Sequence, residues 1–266
     1  MGKQATWERA LVTGASEGIG EAFARELARR GCDVVAVARR RRRLEKLAAE
    51  LSAQHGVDME VLPADLTDPE AIAAVEARLE TDGAPIDLLV NNAGGASQQR
   101  PFLELDRERL AGDAALNALA LLRLTHAAAQ AMARRGCGHV INVSAGIAFY
   151  PLPGAAAYGA SKAFVNSLSE ALHYELRDRG VRVTAVCPGF TRTGVQQRLG
   201  MNVDWVPERL WMEPHDVAVA GLRAAARGRP VSSLSGVGAL NALAGRHLPH
   251  RVWMPRVARA VRRIQA

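Results

Sequence analysis

The chain has 266 residues, which is enough for one large hydrophobic core or two small ones. Its apolar content of 48% and charged content of 23% are ordinary for a globular protein, and no apolar run reaches the length of about eighteen residues that a membrane span needs. The net charge of +7 comes without zinc-finger spacing or an aromatic RNA-binding motif, and the three cysteines are scattered, so we predict no nucleic-acid partner, no metal and a cytoplasmic protein with reduced thiols.

The first informative segment is a glycine-rich turn that follows a short apolar run. Residues 9–13 are predicted to form a strand, residues 13–20 read TGASEGIG, and a helical pattern comes next. This arrangement binds a pyrophosphate, because glycines let the backbone approach the phosphates and the helix N-terminus offers free N–H groups. The spacing TGxxxGxG differs from the common GxGxxG fingerprint, so a tight turn without a ligand is the alternative.

The second predicted strand, residues 33–38, runs into a series of arginines. In a dinucleotide-binding fold this strand end meets the adenosine ribose, where an acidic residue favours NAD and arginine accommodates the 2′-phosphate of NADP. Ala38 stands where the acid would be and Arg39 follows, so we predict NADP(H) as the cofactor. Glu17 is a mild objection, since a basic residue there would suit a phosphate better. Residues 41–43 are interpreted as the solvated start of the next helix.

Strands and helices continue to alternate along the chain. We predict helices at residues 41–54, 68–79, 106–134 and 155–178, and strands at 59–62, 86–90, 139–143 and 181–186. Six strands alternating with helices, without a linker-like break, predict an α/β fold with a doubly wound parallel β-sheet (Rossmann-type), flanked by helices on both faces, in a single domain. The candidate motifs follow the carboxyl ends of strands, where open α/β sheets bind ligands.

Tyr158 and Lys162 stand four residues apart on a predicted helix, and therefore on the same face, one turn apart. A fixed ammonium beside a phenol favours the phenolate and lowers the pKa of the phenol. Tyr158 would then donate and accept protons near neutral pH. Such a pair alone is weak evidence, because it occurs by chance on many exposed helices.

With these motifs in this order, the chain resembles the short-chain dehydrogenase/reductase superfamily, in its single-domain branch. The resemblance covers roughly residues 7–230 and rests on TGASEGIG (13–20), DL (65–66), NNAG (91–94), Asn117, YGASK (158–162) and PGFTRT (188–193). It implies an NADP(H)-dependent oxidoreductase that interconverts a carbonyl and a secondary alcohol. The alternative is a non-catalytic NADP(H)-binding or sensor protein of the same fold.

The resemblance also implies a role for each matched residue. Tyr158 would be the general acid in reduction, Lys162 would bond the nicotinamide ribose and lower the pKa of Tyr158, and Asn117 would hold a water that links Lys162 to solvent. Asp65 would bond the adenine, although it is also placed to cap a turn before Thr67. The implied cofactor contacts are Gly14, Ser16, Gly18, Ile19, Gly20, Arg39, Asp65, Leu66, Asn91, Ala93, Gly94, Tyr158, Lys162, Pro188, Gly189 and Thr193.

One position departs from the pattern of the superfamily. Its members usually carry a serine thirteen residues before the tyrosine, which orients the carbonyl, and this chain has Ala145 there with Ser144 beside it. In one interpretation a shift in the following loop lets Ser144 act as this catalytic residue. In the other the hydroxyl is absent, and the substrate is oriented by backbone N–H groups or by its own shape. Neighbouring residues at a strand end point to opposite faces, which counts against the first interpretation.

The remaining expectations concern the substrate and the C-terminal region. Residues 190–213 carry bulky apolar side chains and are predicted to form a lid over a fairly large apolar carbonyl compound, such as an acyl thioester, a steroid-like ketone or a polyketide. Residues 231–266 form a variable C-terminal extension, in which a basic helix at 251–264 would dock on the protein or make a weak peripheral membrane contact. By analogy with relatives, we expect a homodimer or homotetramer built through the helices at 106–134 and 155–178.

Overall fold

The computed structural model describes residues 7–95, 102–194, 203, 206–234 and 255. In these ranges the strands are β1 Arg9–Thr13, β2 Asp33–Ala38, β3 Met59–Pro63, β4 Leu88–Asn91, β5 Gly138–Val143, β6 Val181–Cys187, β7 Phe190–Thr191, β8 Trp211–Met212 and β9 Val231–Ser233. The α-helices are α1 Gly18–Arg29, α2 Arg41–His55, α3 Pro69–Glu80, α4 Arg107–Ala114, α5 Leu121–Arg135, α6 Ala156–Leu176 and α7 Pro214–Ala226. No helix among the described residues is long and apolar enough to cross a membrane.

Seven of these strands form one parallel sheet in the order β3-β2-β1-β4-β5-β6-β9. The chain starts in the middle at β1, runs outward to β3, and then crosses back to β4 on the other side of β1. This reversal between β1 and β4 is where open α/β sheets leave a ligand crevice at the carboxyl ends of the strands. The predicted doubly wound parallel sheet is confirmed.

Helices cover both faces of the sheet. Val12 of β1 belongs to a buried cluster with α1, α2 and α7, whereas its neighbour Leu11 belongs to a second cluster against which α3, α5 and α6 pack. Both residues are fully buried. A parallel strand that is covered on both faces has no polar side to alternate, which is why β1 and the other central strands read as continuous apolar runs.

The predicted helix over residues 106–134 is interrupted in the structure. After α4, a π-helical turn, Ala115–Ala120, leads into α5. Asn117 lies in this turn, and its Nδ2 donates to the carbonyl of Asp113 at 2.9 Å. A side chain that takes the carbonyl four residues back competes with the ordinary helical hydrogen bond, which explains the local widening. Turns of this kind are frequent at functional sites.

The end of the chain differs from the prediction in one described element. Six strands are predicted for the sheet, but a seventh, β9, pairs in parallel with β6 through the register Val186↔Ser232. A strand of three residues carries too little pattern to be recognised without its partner. Apart from Pro255, the predicted basic helix at 251–264 lies outside the described residues.

A buried polar network ties the middle of the sheet to the helices on one face. Asn91 Nδ2 donates to Thr125 Oγ1 and to Asn142 Oδ1, both at 3.0 Å, and Asn142 Nδ2 donates to Ser169 Oγ at 3.0 Å. All four residues are buried. Because polar groups in the interior are costly to leave unpaired, this network holds β4 and β5 in one register against α5 and α6. Asn91 therefore supports the central strands from inside the molecule.

Candidate active site

The turn after β1 is built from glycines that leave no room for a side chain. Gly14 and Gly18 have φ values of 69° and 60°, in the left-handed region that favours glycine. A Cβ on Gly20 would overlap the carbonyl oxygen of Gly14, so α1 begins directly against the turn. Ile19, in the first turn of α1, packs on the core. The side chain of Glu17, the N-cap residue, makes no capping hydrogen bond to the helix. The first N–H groups of α1 are thus placed to bind an anion.

The ends of β1 and β4 are fastened together beside this turn. The hydroxyl of Thr13 accepts from the N–H groups of Asn92 and Ala93 at 3.0 and 2.9 Å, and Asn92 Nδ2 donates to the Thr13 carbonyl at 3.0 Å. A Cβ on Gly14 would lie 2.7 Å from Asn92 Nδ2. The NNAG segment is therefore held against the glycine turn by side chains that were not among the predicted site residues, although both belong to motifs noted in the sequence.

Tyr158 and Lys162 lie on one face of α6, with Lys162 Nζ 5.7 Å from the centre of the Tyr158 ring. Burial lowers the pKa of Lys162 to about 8, and its Nζ donates to the Val143 carbonyl at 3.0 Å. Tyr158 keeps a partly exposed surface, but its hydroxyl lies deep enough for burial to raise the pKa of Tyr158 to about 12. The predicted lowering of the Tyr158 pKa is therefore wrong for this arrangement, because burial dominates.

Asn117 lies near Lys162, where it is held by hydrogen bonds to Gly95 in the segment after β4. Its Nδ2 donates to the Gly95 carbonyl at 2.9 Å, and its Oδ1 accepts from the Gly95 N–H at 3.1 Å. A Cβ on Gly94 would lie 2.6 Å from Asn117 Oδ1 and 3.6 Å from Lys162 Nζ. The absence of a side chain at Gly94 therefore lets the backbone run directly against both polar side chains.

Ser144 and Ala145 follow β5 and have different surroundings. Ser144 is buried, and its hydroxyl donates to the main-chain carbonyl of Lys162 at 3.0 Å. Ala145 is partly exposed in extended backbone, and Ile147 just beyond it packs on Gly159 of α6. A buried hydroxyl that already donates to a helix carbonyl is not available to a substrate. The geometry favours the second interpretation, in which the site lacks the expected serine hydroxyl.

Arg39 and Asp65 meet at the ends of β2 and β3, where Arg39 Nη1 lies 3.7 Å from Asp65 Oδ2. The Asp65 carboxylate accepts from the Thr67 N–H and hydroxyl at 3.0 and 2.8 Å. Burial would raise the pKa of Asp65, but these hydrogen bonds and the charge of Arg39 outweigh it and lower that pKa. Asp65 does cap the turn before Thr67, while the neighbouring Leu66 is buried in the core.

Arg40 reaches the glycine turn. Its Nη2 donates to Ser16 Oγ at 2.9 Å and lies 2.8 Å from Glu17 Oε2, and Arg43 Nη1 lies 3.2 Å from the same carboxylate oxygen. Residues 41–43 are the exposed start of α2, as predicted, and Arg43 in addition pairs with Glu17. Because five arginines stand in a row, the sequence alone does not indicate which of their side chains contacts the glycine turn.

The segment after β6 closes the other end of the cleft. The carbonyl of Pro188 accepts from the Gly146 N–H at 2.9 Å, and the carbonyl of Gly189 accepts from the Thr191 hydroxyl at 3.2 Å. The Thr193 methyl carbon would lie 3.1 Å from a Cβ on Gly18. Thr193 therefore lies against the glycine turn.

The two ends of the predicted lid form a short ribbon. Strand β7 pairs with β8, and the rings of Phe190 and Trp211 are 5.8 Å apart. The Arg192 guanidinium lies 5.1 Å from the centre of the Trp211 ring, and its Nε is 3.2 Å from Glu213 Oε1. Among the predicted lid residues, Leu199, Met201 and Trp205 lie outside the described residues.

Together these residues fit a nicotinamide dinucleotide. The glycine turn is a cradle that any Cβ would fill, and α1 offers uncapped N–H groups at it. Ser16 and Arg40 offer polar groups beside this turn, Thr193 lies against Gly18, and the Tyr–Lys pair lies on α6. Two grooves of about 650 and 410 Å³ border α5 on the outside of the molecule, and neither is lined by any of these residues.

The fold and the site define a dinucleotide-binding α/β protein with a tyrosine–lysine pair at the carboxyl edge of its sheet. The chain belongs to the short-chain dehydrogenase family, whose sequence model matches residues 8–204. The resemblance to this superfamily is therefore confirmed.

Relatives and solved structures support the same family. The chain is 36% identical over 188 residues to a very-long-chain 3-oxoacyl-CoA reductase of Anas platyrhynchos, an alignment that covers 69% of this chain and 60% of that protein. Among solved structures it is similar to a short-chain dehydrogenase from Sphingobium yanoikuyae in complex with NADPH (40% identity, TM-score 0.82, covering 90% and 92% of the two chains). It is also similar to a bulky-bulky ketone specific alcohol dehydrogenase from Comamonas testosteroni (35% identity, TM-score 0.77, covering 86% and 87%).

Proposed function

We propose that this protein is an NADP(H)-dependent oxidoreductase that interconverts a carbonyl and a secondary alcohol on a fairly large apolar substrate. The observation that carries the proposal is the placement of Tyr158 and Lys162 on one face of α6, with Lys162 and Asn117 both against Gly94. A cleft that combines a phosphate cradle with a proton donor is suited to hydride transfer coupled to proton transfer. The 3-oxoacyl-CoA reductases and the ketone-specific dehydrogenase among its relatives support this reaction class.

The chemistry divides between the cofactor and the protein. A bound nicotinamide supplies or accepts the hydride. In reduction, Tyr158 donates its phenolic proton to the carbonyl oxygen, where negative charge develops. With its pKa raised to about 12 by burial, Tyr158 is protonated at neutral pH, and it gives up the proton only as the carbonyl oxygen becomes the more basic alkoxide. Lys162 is fixed by the Val143 carbonyl and is placed to hold the nicotinamide ribose and to accompany the proton transfer.

The preference for NADP(H) over NAD(H) rests on the residues at the end of β2. Arg40 donates to Ser16 beside the glycine turn, and Arg39 lies exposed next to Asp65. A guanidinium binds a phosphate with parallel N–H bonds, so these two arginines are suited to the 2′-phosphate. The similar structure in complex with NADPH supports this preference. We expect Arg40→Ala to weaken NADPH binding and to leave NADH binding unchanged in a fluorescence titration.

A large apolar substrate is proposed from the surfaces that border the cleft. Phe190 and Trp211 form the base of the lid, and the partly buried Phe149 and Tyr150 precede the helix of Tyr158. Apolar and aromatic side chains with few polar groups are typical of small-molecule sites that take large apolar ligands. The bulky ketone in the name of the Comamonas testosteroni relative agrees with this expectation.

The test is the oxidation of NADPH by the purified protein against 3-oxoacyl thioesters, bulky cyclic ketones and small aldehydes, with Tyr158→Phe beside the wild type. We expect turnover on a bulky member that is lost in the variant, while NADPH still binds. Turnover that survives Tyr158→Phe would contradict the assigned role of Tyr158.

A second candidate, a non-catalytic NADP(H)-binding protein, is favoured by the alanine at position 145, because one hydrogen-bond donor is missing where the carbonyl oxygen would lie. Both candidates predict cofactor binding, so only turnover discriminates between them. Tight NADPH binding without turnover across the whole panel would support the second candidate.

We also propose that the protein forms a homodimer or homotetramer through α5 and α6. Exposed apolar side chains lie on these helices and on the π-helical turn before α5, namely Leu119, Leu122, Phe164 and Tyr174. Side chains of a second copy of the chain could fill the two grooves beside α5. Leu122→Glu should reduce the molar mass measured by sedimentation, whereas a monomeric wild type would contradict the proposal.

A further inference from the structure

The carboxylate of Glu17 occupies the guanidinium groups that the proposed cofactor site offers to a phosphate. Its Oε2 lies 2.8 Å from Arg40 Nη2 and 3.2 Å from Arg43 Nη1. The same Nη2 of Arg40 donates to Ser16 Oγ at 2.9 Å. Arg40 thus binds both Ser16 and Glu17 beside the glycine turn, and the carboxylate of Glu17 pairs with Arg40 and Arg43.

The position of Glu17 in the helix makes this orientation informative. Glu17 is the N-cap residue of α1, with extended backbone, and its side chain makes no capping hydrogen bond to the helix. An acidic side chain at a helix N-terminus is ordinarily stabilised by the helix dipole and the free N–H groups. Here the carboxylate turns to the two arginines, which leaves the N–H groups of α1 open and places its charge at the arginines.

Carboxylate and phosphate are alternative partners for a guanidinium, because both accept its N–H groups in the same planar geometry. A 2′-phosphate that binds Arg40 must therefore displace Glu17 or share the arginine with it. In either case two negative groups come close together, and like charges at short distance oppose each other. The ribose hydroxyl of NAD(H) carries no charge and meets no such opposition.

We propose that Glu17 is a specificity-determining residue that competes with the 2′-phosphate for Arg40 and Arg43 and so weakens the binding of NADP(H) selectively. The inference rests on the proposed function, whose cofactor it concerns. Both ion pairs are partly exposed, with 41% and 58% of the arginine side chains accessible, so the expected effect is moderate. We expect about a threefold tightening of NADPH binding when the charge of Glu17 is removed.

The experiment compares Glu17→Gln with the wild type, using the dissociation constants of NADPH and NADH from fluorescence titration of the purified protein. Glutamine keeps the size and removes the charge. The matched control is Glu21→Gln, because Glu21 lies in the first turn of the same helix and pairs with Arg25, away from Arg40. We expect NADPH to bind about threefold tighter in Glu17→Gln, with the affinity for NADH unchanged and neither affinity changed in the control.

A double-mutant cycle with Arg40→Ala makes the test specific. If Glu17 acts by holding Arg40, most of the gain from Glu17→Gln disappears when Arg40 is absent. Equal tightening of NADPH and NADH would overturn the proposal, because the carboxylate would then act on the pyrophosphate that both cofactors share. Unchanged binding of both would overturn it as well. A wild type that binds NADH as tightly as NADPH would instead contradict the proposed cofactor preference, and thermal melts of each variant show whether it is folded.

Discussion

The hydroxyl of Ser144 donates to the main-chain carbonyl of Lys162 at 3.0 Å and so ties the end of β5 to the helix that carries the tyrosine. The side chain of Lys162 makes a second hydrogen bond between the same two elements, because its Nζ donates to the carbonyl of Val143 at 3.0 Å. These two hydrogen bonds join β5 to α6, and they occupy the hydroxyl of Ser144 with a structural contact.

This relationship predicts that Ser144→Ala affects stability more than catalysis. Loss of one buried hydrogen bond should lower the free energy of unfolding by about 1 kcal/mol and the melting temperature by roughly 2–4 °C. We expect turnover in NADPH oxidation to stay within about threefold of the wild type. Ser161→Ala is the control, since its hydroxyl also donates to a helix carbonyl, that of Tyr158. A hundredfold loss of turnover in Ser144→Ala alone would mean that Ser144 acts on the substrate.

The missing donor at position 145 predicts a gain of function. Ala145→Ser should place a hydroxyl at the partly exposed edge of the cleft, where it can share the developing charge on the carbonyl oxygen with Tyr158. One such donor is typically worth about a hundredfold to a thousandfold in rate, so we expect at least a tenfold rise in turnover on a bulky ketone. Ala148→Ser, in the following 3-10 helix, controls for an added hydroxyl. Unchanged or slower turnover in Ala145→Ser would contradict the prediction.

Gly94 and Gly95 offer a matched pair for testing the packing around the lysine. A Cβ on Gly94 would lie 2.6 Å from Asn117 Oδ1, whereas a Cβ on Gly95 would meet no atom within 4 Å. Gly94→Ala should displace Asn117 and lower turnover by about a hundredfold, because small misplacements of catalytic groups have effects of that size. Gly95→Ala should remain active. Equal activity of the two variants in NADPH oxidation would show that the close contact is not needed.

Burial of Lys162 predicts a pH dependence of stability. The pKa of its ammonium is lowered from 10.5 to about 8 in the folded protein, so between these pH values the unfolded chain binds more protons. Stability from this residue therefore rises as pH increases from about 8 toward 10.5, by about 3 kcal/mol in all. In urea unfolding at pH 7.5 and 10, the wild type should show most of this gain relative to Lys162→Met. Lys46→Met, at an exposed position, should track the wild type, and parallel pH profiles for Lys162→Met and the wild type would contradict the prediction.

The fold could be predicted largely from the sequence, because its signals are local. The apolar run of β1, the glycines of the turn and the alternation of strands with helices each depend on neighbouring residues, and all are present in the structure. The π-helical turn could not be predicted. Its sequence, ALNALA, suits an α-helix, and the turn depends on contacts that the Asn117 side chain makes with Asp113 and with the distant Gly95.

The candidate site shows the same division between local and tertiary information. The face shared by Tyr158 and Lys162 follows from a spacing of four residues on a helix. The direction of their pKa shifts does not, because it depends on burial beneath distant parts of the chain. Likewise the sequence indicates arginines at the end of β2. That Arg40 and Arg43 pair with Glu17 depends on where α1 begins relative to α2.

The ribbon formed by β7 and β8 separates the part of the chain that places Thr193 from the part that is predicted to contact the substrate. Its paired strands fix both ends of the intervening segment, and Thr193 remains against the glycine turn whatever lies between. Lengthening a loop whose ends are already fixed adds only about 0.6 kcal/mol for each doubling. The chain between β7 and β8 is therefore where we expect sequence changes to alter substrate preference without moving Thr193 or the tyrosine–lysine pair.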